Sequence, residues 1–131
     1  MCVFCKIVSG EIEPSIIYED QTAMAFLDIE PINEGHLLLI PKDHYLDADD
    51  MPRELYLHLM ELSQRLIRAV KQTYPSPGYS MMQNGGQFND IGHYHLHLFP
   101  RYEGDGFGWT FGKQHHEFNQ YIADKIKLNL M

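Results

Sequence analysis

Residues 93–99 read HYHLHLF, and this run constrains the fold more than any other. In an extended chain, successive side chains point to opposite faces. His93, His95 and His97 then share one face, and Tyr94, Leu96 and Leu98 form the other. The pattern predicts a strand over His93–Pro100, with an apolar face against a core. On its other side stands a row of imidazoles about 6.6 Å apart at Cα. Three readings suit such a row. It is a solvated polar face, or a metal site in which histidines two apart reach one ion, or a nucleophilic imidazole whose neighbours fix its tautomer. Alternation alone does not choose among them.

The rest of the chain supplies the layers around that strand. Short strands are predicted at Ile16–Tyr18 and Thr22–Leu27, the second ending in Asp28. Pro31, Asn33 and Gly35 mark a turn, and His36–Pro41 is a continuous apolar strand of the kind buried on both faces. The clearest helix spans residues 51–74. Asp49 and Asp50 are placed to cap it, and Pro52 suits its first turn. Leu55, Leu59, Leu62, Leu66 and Val70 give it one apolar stripe, and Pro75 and Pro77 stop it. A strand at Tyr79–Gln83, a turn at Asn84-Gly85-Gly86 and a second helix near Glu117–Lys127 complete the pattern. Strands, a long helix, strands and a helix predict an α+β fold: a mainly antiparallel sheet of about five strands with two helices.

A chain of 131 residues without repeats, low-complexity tracts or linkers reads as a single domain over residues 1–131. Ten Lys and Arg stand against eighteen Asp and Glu, a formal charge of −8. That balance disfavours a grip on a nucleic-acid polymer, which needs excess cations to displace counterions, and it disfavours an anionic membrane surface. A small anionic ligand would need a locally positive site. No apolar window is long enough to span a bilayer, and MCVFCKIVSGE lacks the apolar run of a signal peptide. The expected location is cytoplasmic, where two cysteines are ligands or thiols rather than a disulfide.

The triad run HYHLHLF resembles the His-φ-His-φ-His-φ-φ signature of the histidine-triad (HIT) family of nucleotide hydrolases and transferases. FCKIVSGEIEPSIIYED resembles that family's opening segment and AFLDIEPINEGHLLLIPKDH its second block, with Pro100-Arg101 following the triad. The likeness covers about residues 2–101. It implies a HIT-like fold that dimerises through the long helix and the adjoining strand. It implies a reaction in which His95 attacks the α-phosphorus of a nucleotide, forming a nucleotidyl-histidine that water hydrolyses. Purine nucleoside phosphoramidates and dinucleoside polyphosphates are the implied substrates. His97 and His36 are implied donors to the phosphate oxygens, and Asp28 an acceptor for ribose hydroxyls. The base pocket is implied to draw on Phe4, Ile7, Phe26 and Ile29, with Ile7 and Phe26 favoured.

The stretch before the triad departs from the family pattern. Asn89 stands where relatives carry glutamine four residues before the first histidine, and Gln87 lies two residues earlier. Either amide is a candidate phosphate donor, and Asn84 resembles the amide that contacts phosphate or leaving group. Asp90 is unexpected beside an anionic substrate; facing away and positioning a leaving group are its two readings.

Cys2-Val3-Phe4-Cys5 reads best as half of a tetrahedral zinc site. A redox CxxC calls for a βαβ setting that the pattern lacks, and two free thiols are the plain alternative. Zinc-containing relatives complete such a pair with a histidine after the Pro-Lys segment and the first triad histidine. Here those are His44 and His93, so the implied cofactor is a structural Zn²⁺ on Cys2, Cys5, His44 and His93. His58 carries no functional reading. Trp109, His115 and His116 lie in a tail that could close over a leaving group. Two rival functions stand beside the main one: a zinc-dependent hydrolase using triad histidines as ligands, and a nucleotide-binding or interaction protein with little turnover.

Overall fold

The structure, a computed structural model, describes residues 2–130. In chain order it holds α1 (Val3–Val8), β1 (Ile16–Glu19), β2 (Ala23–Leu27), β3 (Leu37–Pro41), α2 (Arg53–Thr73), β4 (Gly78–Met82), β5 (Leu96–Arg101) and α3 (Gln120–Lys127). The strands form one sheet of order β1-β2-β3-β5-β4, antiparallel at every pairing. The α+β expectation of about five antiparallel strands holds.

The sheet has two dressed faces. On one, α2 lays its stripe of Leu59, Leu62, Leu66 and Val70 over Ala23, Ala25, Leu37, Leu39, Tyr94, Leu96 and Leu98. Each of those leucines contributes about 2 kcal/mol relative to an exposed side chain. On the other face, Phe4 of α1 packs with Met24, Phe26, Leu38 and Ile40. Leu38 stands opposite His97 in the β3–β5 register, so the histidines share the α1 face. Tyr94, Leu96 and Leu98 face α2, as alternation requires.

Four expectations are corrected. A third helix, α1, was not foreseen; at six residues it is too short to show a period, and the Cys2 Sγ caps it by accepting from the Cys5 N–H at 3.5 Å. β5 begins at Leu96 rather than His93. Pro41 on the facing strand has no N–H to extend the ladder, and its carbonyl is taken by the His93 ring instead. Asp49 and Asp50 do not cap α2. The Asp50 carboxylate accepts from the Asp47 N–H at 3.0 Å within the 3-10 turn Ala48–Asp50, and Pro52 stands at the helix start without a side-chain cap. The last helix starts at Gln120, not Glu117, because the Asn119 side chain caps it by accepting from the Ile122 N–H at 3.1 Å.

The turn before β3 depends on glycine. Gly35 has φ +92°, and a Cβ there would overlap the Tyr74 ring. Behind this turn, Asn33 donates to the Pro100 carbonyl at 2.8 Å and to Asp105 at 3.0 Å. Arg101 forms a two-pronged pair with Asp105 at 2.6 and 3.0 Å. These bonds pin the end of β5 and the start of the tail.

Candidate active site and metal centre

The chemistry of the histidine row follows from which ring nitrogen each backbone group occupies. The Nδ1 of His95 lies 2.8 Å from the His93 carbonyl. A carbonyl only accepts, so Nδ1 carries the hydrogen and Nε2 keeps its lone pair. The Nδ1 of His36 accepts the Ile32 N–H at 3.0 Å. His36 therefore carries its hydrogen on Nε2, which meets the Nδ1 of His97 at 2.9 Å. His97 is left with its hydrogen on Nε2, ready to donate to an oxyanion. Two backbone groups thus set one nucleophilic nitrogen and, through His36, one donor beside it. The His95 and His97 ring centroids are 4.8 Å apart, and the Phe4 ring meets His95 edge-to-face with centroids 5.2 Å apart.

The His36 and His97 rings are held neutral. Burial pushes the His36 pKa down against the opposing pull of Asp28. Burial, then the neighbouring His95 and His36, lowers His97 to about 4. What these two rings offer an anion is an oriented N–H dipole and not the cationic field that the sequence led one to expect. His36 is 2% exposed and lies one ring behind His97.

The first triad histidine is turned to other work. His93 Nε2 donates to the Pro41 carbonyl at 2.8 Å, leaving the Nδ1 lone pair facing Cys2 Sγ at 3.4 Å and Cys5 Sγ at 3.7 Å. The Nδ1 of His44 is 3.3 Å from Cys5 Sγ. The four ligand atoms lie within 4.8 Å of one another. Tetrahedral zinc with its usual bond lengths sets S···N edges of about 3.6 Å, so this donor set fits the ion. The Pro41 carbonyl is the outer partner that orients a ligating imidazole. Asp28, His36 and His97 also converge. However, His36 presents a hydrogen on its converging nitrogen, and the 2.9 Å approach is closer than the roughly 3.3 Å between two nitrogens on one zinc.

The remaining predicted residues divide. Asp28 joins the cluster, its Oδ2 being 3.5 Å from His36 and 3.8 Å from His97. Its other oxygen accepts the Glu30 N–H at 2.9 Å. Phe26 is buried and Ile7 half-buried in the apolar layer with Phe4, while Ile29 is exposed. Ile7 also lines an open groove of about 500 Å³ with Val8, Ile12, Ile16 and Met24. Asn89 is buried and fully engaged with backbone: it donates to Leu46 and accepts from Ile91 and Gly92. These bonds shape the loop before the triad. Asn84 and Gln87 are exposed, and no side-chain hydrogen bond from either to a triad ring occurs among the described residues. Trp109 is 92% exposed; His115 and His116 are exposed as well, and no contact from any of the three to the row is recorded among the described residues.

Sequence reasoning missed three features. The Ile32 N–H that orients His36 leaves no side-chain signal. His58 donates to Asp20 at 2.7 Å. Burial raises the Asp20 pKa, but bonds from His58, Thr22, Tyr18 and Ala23 outweigh it and hold the carboxyl well below the usual range; this clamp ties α2 to the β1–β2 turn. The third is the contact made by Asp90, a residue the sequence singled out without a settled role: its Oδ1 lies 3.8 Å from His95 Nε2.

The row, its tautomers and the cysteine cluster are the setting in which family likeness can be judged. The HIT domain family model matches residues 9–104. The chain belongs to the HIT family. A HIT-like protein of Methanocaldococcus jannaschii, described as uncharacterized, is 40% identical over 115 residues, covering 86% of this chain and 88% of its own. An adenosine 5'-monophosphoramidase of Candida albicans is 32% identical over 139 residues, covering 93% and 91%. The crystal structure of a HIT family protein from Bacillus anthracis superposes with a TM-score of 0.87 at 36% identity, covering 99% of this chain and 97% of its own. A zinc-bound histidine triad family protein from Mycobacterium smegmatis does so with a TM-score of 0.75 at 37% identity, covering 86% and 84%. Among the described residues, no helix of this HIT protein is long and apolar enough to cross a membrane.

Proposed function

We propose that this HIT protein is a nucleotide hydrolase that cleaves purine nucleoside phosphoramidates or related α-phosphate esters and anhydrides through a nucleotidyl-histidine. The observation that carries the reading is the bond from His95 Nδ1 to the His93 carbonyl at 2.8 Å, which leaves Nε2 as an unprotonated nucleophile. Two relatives named adenosine 5'-monophosphoramidase, from Candida albicans and Saccharomyces cerevisiae, support the substrate class.

The steps follow from the rings. Nε2 of His95 forms a bond to the α-phosphorus, and the leaving group departs with the electron pair of the broken bond. The carbonyl of His93 stabilises the imidazolium that results, as a fixed acceptor on Nδ1–H. His97 donates its Nε2–H to a non-bridging oxygen, and His36 holds His97 in that tautomer. Water then attacks phosphorus, the pair returns to Nε2, and the nucleoside monophosphate leaves. Asp28 is assigned to the ribose hydroxyls, and Ile7 with Phe26 to the base. Asn84 and Gln87 are assigned to the phosphate or leaving group once substrate is bound.

Cys2, Cys5, His44 and His93 would hold a zinc ion whose chemistry, with four protein ligands and no open position, is structural. The zinc-bound neighbour supports this assignment. A homodimer through α2 and the edge strand β4 is part of the same reading; β4 lies at the sheet margin with Tyr79 and Met81 exposed.

Intact-protein mass spectrometry after brief mixing with an adenosine phosphoramidate and acid quench tests the mechanism. A transient gain of one adenylyl group that is absent in His95→Ala is expected. Steady release of monophosphate by His95→Ala at the wild-type rate would overturn the covalent route.

A further inference from the structure

We propose that Asp90 is a specificity-determining residue that favours substrates whose leaving group is an amine and opposes those whose leaving group is a polyphosphate. The proposal rests on the nucleotidyl transfer to His95 set out above.

Asp90 has no structural employment among the described residues. Asp20 and Asp105 each accept several hydrogen bonds from backbone and side chains, and Asp47 accepts the Gly86 N–H at 2.8 Å. The Asp90 carboxylate accepts none. Its side chain is 85% exposed, and its one recorded polar contact is with the reacting atom, His95 Nε2, at 3.8 Å. Its position is nevertheless held. The neighbouring Asn89 is buried, tied to Leu46, Ile91 and Gly92, and Gly86–Phe88 forms a 3-10 turn just before it. A hydrogen-bonded loop thus presents an exposed carboxylate at the mouth of the site.

The charge around the row points the same way. Two carboxylates stand within 4 Å of the row, Asp28 beside His36 and His97 at 3.5 and 3.8 Å and Asp90 beside His95 at 3.8 Å. The recorded ion pairs of Arg101 and Lys42 are to Asp105 and Glu19. A phosphorus bonded to Nε2 would bring its leaving group within several ångströms of Asp90. A polyphosphate there adds like charges beside a carboxylate. At such separations, with partial solvent screening, each like-charge pair disfavours the complex about tenfold.

An amine reverses the sign. In an N-protonated phosphoramidate the leaving nitrogen is a cationic N–H donor, which a carboxylate stabilises. The Nε2–P bond forms, the P–N bond breaks, and its electron pair leaves on the nitrogen as neutral amine; the positive charge passes to the His95 ring. In the second step the water oxygen bonds to phosphorus, the P–Nε2 pair returns to the ring, and the water proton goes to solvent.

The test compares kcat/KM on adenosine 5'-phosphoramidate and on diadenosine tetraphosphate, using the full chain without added divalent cations. Monophosphate release by the wild type that is lost in His95→Ala establishes the underlying reaction first. Asp90→Asn is then expected to lower the amide-to-polyphosphate preference at least tenfold, mainly by raising the rate on the polyphosphate. Asp90→Glu should restore the preference, and raised salt should narrow the difference between wild type and Asp90→Asn. An unchanged melting temperature will show that the exposed substitution leaves the fold intact. A preference within twofold of wild type in Asp90→Asn would overturn the proposal while leaving the covalent reading standing. So would a lower polyphosphate turnover in Asp90→Asn than in wild type when Mg²⁺ is supplied, since Asp90 would then be recruiting a cation.

Discussion

His93 and His95 are two residues apart just before β5, both lie against Phe4 and both carry the same ring, yet the structure gives them opposite chemistry. His93 donates from Nε2 to the Pro41 carbonyl and turns Nδ1 toward two thiols. His95 donates from Nδ1 to the His93 carbonyl and leaves Nε2 open. A backbone acceptor on one ring nitrogen determines which nitrogen remains a base. The comparison also shows a dependence. The peptide carbonyl that orients His95, the proposed nucleophile, belongs to the residue that would ligate zinc, so the metal end of the row supports the geometry of the other end.

The largest expected effect separates the two rings by activity. His95→Ala should lower turnover by more than about 10⁴-fold while leaving zinc content and melting temperature near wild type. His93→Ala should lose zinc and stability together. Metal analysis beside a thermal melt checks both, and an intact zinc site in His93→Ala would break the comparison.

Next comes the metal end alone. Cys5→Ser should remove bound zinc and cost about 3 kcal/mol under conditions where free zinc is about a hundredfold above its dissociation constant. In a domain of this size that lowers the melting temperature by about 10 °C. The variant should still form the adenylyl adduct at low temperature, since the closed site activates no water. Abolition of chemistry at a temperature where Cys5→Ser remains folded would instead favour a metal-dependent hydrolase.

The pH dependence of stability sharpens the contrast from the reactive end. His97 has its folded pKa lowered to about 4, below the ordinary value near 6.5. The unfolded chain therefore binds the proton more readily. The stabilisation is complete above about pH 6.5 and is lost as pH falls through about 4. Denaturant melts should show a loss on the order of 3 kcal/mol over that window, and His97→Asn should flatten it.

The smallest effect concerns the ring behind the row. His36→Leu removes the donor that fixes His97 without touching His95, so kcat should fall about tenfold with KM nearly unchanged. An unchanged kcat would show that His97 keeps its tautomer by other means.

Much of this arrangement was legible in the sequence because it depends on local period. Alternation through HYHLHLF placed Tyr94, Leu96 and Leu98 against the core, and the stripe from Leu59 to Val70 marked α2. Cys2 and Cys5 could be read as a ligand pair from spacing alone. What escaped depends on partners distant along the chain or on backbone groups. α1 is a single short helix whose stability comes from Phe4 buried against β2 and β3, which no local pattern reveals. The delayed start of β5 follows from the missing N–H of Pro41 on another strand. The place of His36 one ring behind His97 follows from the Ile32 N–H. The Asn89 side chain is bound to the backbone of its own loop and of Leu46. His58 and Asp20 meet across 38 residues of sequence.

The tautomers of the row are the centre of the account, and nitrogen-15 NMR of the imidazole side chains reads them directly at neutral pH. Long-range ¹⁵N–¹H correlation should show His95 protonated at Nδ1 with a bare Nε2, and His93 protonated at Nε2 with the reverse assignment of lone pair. His95 protonated at Nε2 would remove the nucleophile from the reacting position and contradict the account.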